Sequence, residues 1–304
     1  MIRSRFVVSV VALGLSAVLW SPALHAAAAF PGHNGRIAFE TGRSDKFDIW
    51  SMTPRGTGRK RLTRSVAEEH APAYSPGGTR IAFSRNWTSG GQSDIFTMAS
   101  GGGGVVRLTK TPAIVETDPA WSPNSARIAF SSSKTGGGDI YTMRASDGTH
   151  KRRLTFSPKF DFQPVWSQTN RIAFSSDRTG GGDIYVMRAD GTHLRRLTNT
   201  PDFDGQPAWS PDGTHVAFVR LIKGSNPEIF VIRANGTHLR RLTRNPATDQ
   251  APAFAPAGNR IAFMSDRGQK QFLDIYTMRT DGTGARRLTK DGFIDGYPDW
   301  QPVP

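Results

Sequence analysis

An acidic residue lies three positions before the proline of each of six Pro-x-aromatic motifs, and these acids are the first candidates for chemistry. They are Glu69, Glu116, Asp161, Asp204, Asp249 and Asp295. Gathered into a ring of like charge, they could hold a cation or a basic peptide segment. Alternatively, each carboxylate accepts backbone N–H groups of its own turn or pairs with a basic residue of a nearby loop. Such basic residues are Arg43, Arg85, Lys134, Arg178 and Arg267.

Other residues that could do chemistry give weaker signals. His150, His193 and His238 occupy equivalent positions in three separate segments, so we expect them to lie too far apart to share one metal ion. The chain contains no cysteine, which excludes thiolate catalysis and Cys-ligated zinc. A Gly-x-Ser-x-Gly elbow and a His-Glu-x-x-His helix are also absent from the sequence. The sequence therefore predicts neither a catalytic residue, nor a bound metal, nor a cofactor.

Four short motifs recur in the same order six times and define the elements that must position the acids. The first is Arg-Ile-Ala-Phe or a close variant, at intervals of 44 to 47 residues. An acid followed by Ile and an aromatic comes next, and then Arg-Leu-Thr. The last is proline, one residue and an aromatic, with the aromatics at Tyr74, Trp121, Trp166, Trp209, Phe254 and Trp300. A fixed period of this length is typical of propeller repeats.

Each motif is short, rich in β-branched or aromatic residues and bounded by turn residues, which indicates a brief strand. Pairs such as Asp190-Gly191 and Asn235-Gly236 predict two-residue hairpin turns. The fold class is therefore all-β: a six-bladed β-propeller of four-stranded antiparallel blades. The first repeat lacks a Pro-x-aromatic strand, and the C-terminal segment around Trp300 supplies one. We expect that segment to pair with the N-terminal blade around Ile37 and close the ring.

Residues 206–213 (QPAWSPDG) and 183–192 (DIYVMRADGT) resemble the WD-like repeats of the TolB propeller family. The likeness extends over nearly the whole repeat region, but the sequence has no room before Arg36 for the additional N-terminal α/β domain of TolB. The resemblance implies a non-catalytic scaffold that binds protein or peptide at one mouth of its channel. It also places the Pro-x-aromatic strand innermost, so that the six acids ring that mouth.

Residues that break the repeat are further candidates, because the fold does not require them. Trp87 lies where other repeats have glycine or small polar residues. Other apolar residues predicted on the same face are Ile114, Phe160, Phe203, Leu221, Ile222, Phe272 and Ile294. Clustered apolar residues on one loop face indicate a partner site, although packing within the loops is an alternative. The predicted partner-binding residues are Trp87 and the six acids.

The N-terminus predicts export. Arg3 and Arg5 precede an apolar run from Phe6 to Trp20, and small residues follow, which is typical of a signal peptide. We expect cleavage after Ala28, leaving residues 29–304 as the propeller in the periplasm or outside the cell. An uncleaved anchor is the alternative.

Export makes nucleic acid an improbable target and leaves a protein or peptide of the cell envelope as the expected partner. Without Arg3 and Arg5 the chain keeps 37 basic against 25 acidic residues, so an anionic surface at the basic rim is a second candidate. A metal-dependent propeller lyase and a carbohydrate- or envelope-binding protein remain the alternative functions. Only His70 is expected near the acidic mouth, which disfavours the lyase.

Overall fold

The computed structural model describes residues 29–43, 46–87, 92–268 and 271–304, so the predicted leader lies outside the described residues. The strands form six four-stranded antiparallel sheets. Blade 1 contains β1 (His33–Thr41), β2 (Asp48–Met52), β3 (Lys60–Arg61) and the C-terminal strand β24 (Asp295–Val303). Blade 2 contains β4 (Glu68–Tyr74), β5 (Arg80–Asn86), β6 (Ser93–Ala99) and β7 (Val106–Arg107). Blade 3 contains β8 (Glu116–Trp121), β9 (Arg127–Ser132), β10 (Asp139–Arg144) and β11 (Arg152–Arg153).

The remaining three blades repeat the same plan. Blade 4 contains β12 (Asp161–Trp166), β13 (Arg171–Ser176), β14 (Asp183–Arg188) and β15 (Arg195–Arg196). Blade 5 contains β16 (Phe203–Trp209), β17 (His215–Leu221), β18 (Pro227–Arg233) and β19 (Arg240–Arg241). Blade 6 contains β20 (Asp249–Phe254), β21 (Arg260–Ser265), β22 (Asp274–Arg279) and β23 (Arg286–Arg287). Within the described ranges, no helix is long and apolar enough to cross a membrane.

The ring closes as the sequence predicts. In blade 1 the strand order is β24-β1-β2-β3, and Ile37 pairs with Trp300. The innermost strands β24, β4, β8, β12, β16 and β20 contact one another in sequence around the ring. The inner edge of β1 is therefore paired with β24, which completes blade 1 and closes the ring.

The core lies between neighbouring blades. The Ile, Ala and Phe of each first motif are fully buried, because every blade is covered on both faces. The Pro-x-aromatic side chains are 0% to 4% exposed, because they pack between blades. Two of them also hydrogen-bond across the interface: Trp121 Nε1 donates to the Ala73 carbonyl, and Trp209 Nε1 donates to the Val165 carbonyl.

The prediction of two-residue hairpin turns is wrong. Arg188 N donates to the Thr192 carbonyl, so three residues form that loop, and Gly191 takes a φ of 83°. The preceding Asp190 does not adopt positive φ; its carboxylate accepts the Thr192 N–H. An aspartate that caps the turn in this way selects a type I turn followed by a left-handed glycine.

The blade connections define two faces. The loop face carries the connections from the second to the third strand of each blade and from each outer strand to the next blade. The hairpin face carries the connections from the inner to the second strand and from the third to the outer strand. Every inner strand runs from the loop face to the hairpin face.

Candidate functional site

The six acids, called the inner acids below, lie at the start of the six inner strands, on the loop face. The structure thus brings them to one end of the ring, as predicted. All six are 0% to 2% exposed. A partner that approaches from solvent therefore meets other groups before it reaches these carboxylates.

Each inner acid contacts a basic side chain. Arg85, Arg178 and Arg267 bind Glu69, Asp161 and Asp249 with N–O distances of 2.6, 2.7 and 2.6 Å. These three arginines were predicted as candidate partners. Arg43, also predicted, forms a longer ion pair with Asp295, at 3.6 Å, and binds Asp291 as well. One partner differs from the prediction: Glu116 takes Lys151, at 3.5 Å, instead of Lys134.

Sequence reasoning missed the partner of Asp204, which is Arg220 in strand β17, although Arg220 follows the start of its first motif by five residues, as Arg85 does. Its guanidinium binds both carboxylate oxygens, at 2.6 and 2.8 Å. Burial raises the pKa of Asp204, and the hydrogen bonds and charge of Arg220 act in the opposite direction.

The guanidinium of Arg220 also lies over the Phe230 ring, 4.8 Å from its centroid. Arg85, Arg178 and Arg267 lie over aromatic rings in the same way. This geometry favours the paired, structural role of the acids over direct contact with a partner.

A second set of ion pairs repeats in every blade and was not anticipated. The arginine of each Arg-Leu-Thr motif binds the acid of the second motif at 2.6 to 2.9 Å. The pairs are Arg61–Asp48, Arg107–Asp94, Arg153–Asp139, Arg196–Asp183, Arg241–Glu228 and Arg287–Asp274. The near-constant spacing of the two motifs, 13 residues in five repeats and 14 in the third, was the signal that could have revealed this pairing.

In five of the six blades a basic residue precedes the arginine of the Arg-Leu-Thr motif and contacts the next blade. Lys60 donates to the Gly101 carbonyl, Arg195 to the Ala234 carbonyl and Arg240 to the Thr280 carbonyl, all in the following blade. In blade 2 the equivalent residue is Val106, which is 44% exposed. These outer strands form the basic rim of the propeller, and they thus use much of their charge to join neighbouring blades.

Trp87 is half-buried against the core of blades 1 and 2. Its Nε1 donates to Asp94 Oδ2 at 3.1 Å, and the Arg107 guanidinium lies 5.5 Å from its ring centroid. The side chain is thus held at the edge of the loop face, with part of its surface exposed.

Several apolar side chains on the loop face are more exposed than Trp87. Val66 is 87% exposed, Phe156 72%, Leu221 39% and Phe293 38%. Only Leu221 was among the predicted residues. The other predicted apolar residues are half-buried: Ile114, Phe160, Phe203, Ile222, Phe272 and Ile294.

The exposed charge on the loop face is basic. Apart from arginines that pair with inner acids, the exposed charged residues of its described loops are all lysines and arginines. They are Arg64, Lys110, Lys134, Lys159, Lys223, Arg244 and Lys290. The expected acidic surface is therefore replaced by a basic one above buried, paired carboxylates.

His70 is the histidine predicted near the mouth, and it is 2% exposed. Its Nδ1 lies 3.3 Å from Glu40, and its Nε2 lies 3.7 Å from Glu68. Burial lowers the pKa of His70, but the two glutamates outweigh this and raise it to about 9. In the part of the chain that the structure describes, no three His, Asp or Glu side chains are arranged to hold a metal ion.

His150, His193 and His238 lie exposed on hairpins of three different blades, each with its Nδ1 beside the preceding threonine hydroxyl.

The sequence matches the TolB beta propeller domain over residues 111–204 and 197–303, which together span more than half of the chain. The chain belongs to this family. Its TolB-type propeller superposes on TolB from Acinetobacter baumannii with a TM-score of 0.77 and 23% identity, over 88% of this chain and 67% of that chain. No curated protein matches the sequence at a significant level.

Propellers of other proteins share the TolB-type fold. Hydrazine synthase from Kuenenia stuttgartiensis gives a TM-score of 0.75 at 16% identity, over 90% of this chain and 47% of that chain. An oligogalacturonate lyase in complex with manganese gives 0.60 at 12% identity, over 88% of this chain and 78% of that chain. At these identities the likeness shows the fold alone. The TolB-type propeller supports a scaffold or binding role, and its structural neighbours include TolB as well as a synthase and a lyase.

Proposed function

We propose that this protein is an exported, non-catalytic TolB-type propeller that binds a protein partner on its loop face, at the mouth of the central channel. The observation that carries the proposal is the coincidence of exposed apolar side chains with exposed basic charge on that face. Phe156 and Val66 are among the most exposed large apolar residues described. Contiguous exposed apolar patches with a polar rim mark interaction sites, and in this proposal the apolar side chains of the neighbouring loops form one such patch.

The charge of the loop face indicates the chemistry of the partner. Because the inner acids are buried and paired, they offer little negative potential to solvent, while lysines and arginines project around them. An acidic protein segment that also carries apolar residues complements this surface better than a basic peptide or a cation. In this proposal the floor of the site is formed by the six predicted inner acids, Glu69, Glu116, Asp161, Asp204, Asp249 and Asp295. Trp87 lies at its edge.

Export remains part of the proposal. Cleavage after Ala28 would leave residues 29–304 as the propeller, and the envelope partner would be met outside the cytoplasm. N-terminal sequencing of the protein from its native host tests this point, since a retained Met1 in the membrane fraction would support an anchor instead.

Site-specific photo-crosslinking in the native host tests the binding face. A photoreactive phenylalanine analogue at Phe156 or Phe293 probes the loop face. The matched positions on the hairpin face are Leu194 and Leu239, which are 43% and 46% exposed. We expect a discrete protein adduct from the first pair and none from the second.

Adducts formed only from the hairpin face would overturn the proposed site. Adducts that run as lipid or polysaccharide rather than protein would support an anionic envelope surface as the ligand. If the partner is acidic, replacing Lys110 and Lys159 together with glutamine should reduce the protein adduct, because both residues are exposed and basic.

A further inference from the structure

Two consecutive residues at the start of the described chain, Ala29 and Phe30, are each only 2% exposed although they belong to no strand. The next residue, Pro31, is exposed, and Gly32 packs against the carbonyl of Val303. Because β24 ends at Val303 on the hairpin face, the segment enters the molecule from that face. The chain therefore passes from the exposed Pro31 to the buried Phe30 between two adjacent residues.

The apolar neighbours of these residues show where the segment goes. Phe30 belongs to the core cluster of blades 2 and 3, which includes Ala73 and Trp121. Ala29 belongs to the core cluster of blades 5 and 6, which includes Ala208 and Phe254. In a ring of six blades, these two interfaces lie on opposite sides of the axis. The Cα atoms of consecutive residues are about 3.8 Å apart. Only a segment on the axis can reach both interfaces at once.

We infer that the hairpin-face end of the central channel is a binding site for a short apolar segment, occupied in this protein by its own Ala29 and Phe30. The site takes one aromatic side chain on one side of the axis and a small side chain on the other. The seated segment closes this end of the channel, so that the loop face is the remaining entrance. If the leader is cleaved after Ala28, the segment is also the new N-terminus.

Three substitutions test whether the segment is seated. Phe30→Asp should lower Tm by roughly 5 °C or more, because it places a charge where a buried aromatic belongs. Phe30→Leu keeps an apolar side chain and should cost much less. Pro31→Asp, at the exposed neighbour, should leave Tm unchanged. Equal Tm values for Phe30→Asp and the unaltered protein would overturn the inference.

A peptide added in trans tests whether the site binds a segment of this chemistry. In a variant that lacks residues 29–31, millimolar Ala-Phe-Pro-Gly should raise Tm in a saturable manner, and Ala-Asp-Pro-Gly should not. The unaltered protein should respond to neither peptide, because its own segment fills the site. The Phe30→Asp variant provides a second, full-length host should the deletion fold poorly. Failure of both hosts to respond to Ala-Phe-Pro-Gly, or an equal response of the unaltered protein, would contradict the inference.

Discussion

Asp299 lies between the proline and the aromatic of its inner strand, where the other five blades have alanine or valine. It is 2% exposed, and its Oδ2 accepts the Tyr74 N–H of blade 2 at 2.6 Å. Burial raises its pKa to about 8, against the opposing effect of hydrogen bonds from the Tyr74 and Trp300 N–H groups. The carboxyl group therefore prefers its protonated form in the folded protein.

This preference predicts a pH-dependent stability. An acid whose pKa is higher in the folded than in the unfolded state stabilises the fold when protonated, and this contribution is lost as pH rises from about 4 to about 8. We expect Tm to fall across that window in the unaltered protein. Asp299→Asn keeps the acceptor oxygen for Tyr74 and removes the titration, so its Tm should fall less. Thermal melts at pH 5 and pH 8 measure the difference, and parallel curves for the two proteins would contradict the prediction.

His70 contributes stability that is lost in an overlapping pH window. Because its pKa is raised from 6.5 to about 9, its contribution is complete below pH 6.5 and is lost as pH rises through about 9. The comparison of Asp299→Asn with the unaltered protein isolates the aspartate, since His70 is present in both.

Asp204 allows a test of the inner acids. Asp204→Asn leaves the buried Arg220 without its carboxylate, and breaking a buried pair in this way costs about 3–5 kcal/mol. We expect a markedly lower free energy of unfolding in a denaturant titration. The control is Asp202→Asn, two residues earlier, where an amide oxygen can still accept the Lys223 N–H. An unchanged stability for Asp204→Asn would restore the acids as candidates for direct partner contact.

At the scale of elements, the strands were predictable and their local irregularities were not. The four motifs predict the position of every strand, because few folds other than a propeller fit a repeat of short strands that alternate with turns. Every inner strand, however, contains a bulge whose central residue takes a φ of 50° to 57°. These residues are Ala71, Asp118, Gln163, Gln206, Ala251 and Tyr297, each directly before the proline.

The bulge has a physical reason that becomes visible only with the neighbouring blade in place. It turns a backbone N–H toward that blade: Gln206 N donates to Gln163 Oε1 at 2.9 Å, and Ala251 N donates to Gln206 Oε1 at 2.6 Å. A residue before proline is ordinarily extended. Sequence reasoning from one repeat therefore misses a conformation that contacts between repeats stabilise.

The same limit applies to the candidate site. The sequence placed the inner acids at one end of the ring but could not give their burial, which depends on how arginines from the second strands and loops fold over them. The exposed Phe156 was missed, although the other repeats carry a polar or basic residue at its position and this departure from the repeat could have revealed it.

At the scale of the whole molecule, ring closure predicts a severe effect of a small truncation. Deleting residues 297–304 removes most of β24, which contributes Trp300 to the core of blades 1 and 6, and leaves β1 with an open edge. We expect the melting temperature to fall by more than 10 °C or cooperative unfolding to be lost. Removal of the exposed Pro304 alone is the control and should have no effect. An unaltered melting temperature for the longer deletion would refute closure by β24.

The pairing of β1 with β24 also sets the order of events during folding. Joining residues as distant as Ile37 and Trp300 costs chain entropy on the order of 5 kcal/mol. That cost can be met only after β24 itself has been synthesised and released for folding. Until then the first strand to emerge presents an unpaired edge, so blade 1 is both the oldest part of the nascent chain and the last to be completed. We therefore expect chaperones and aggregation to act longest on this blade.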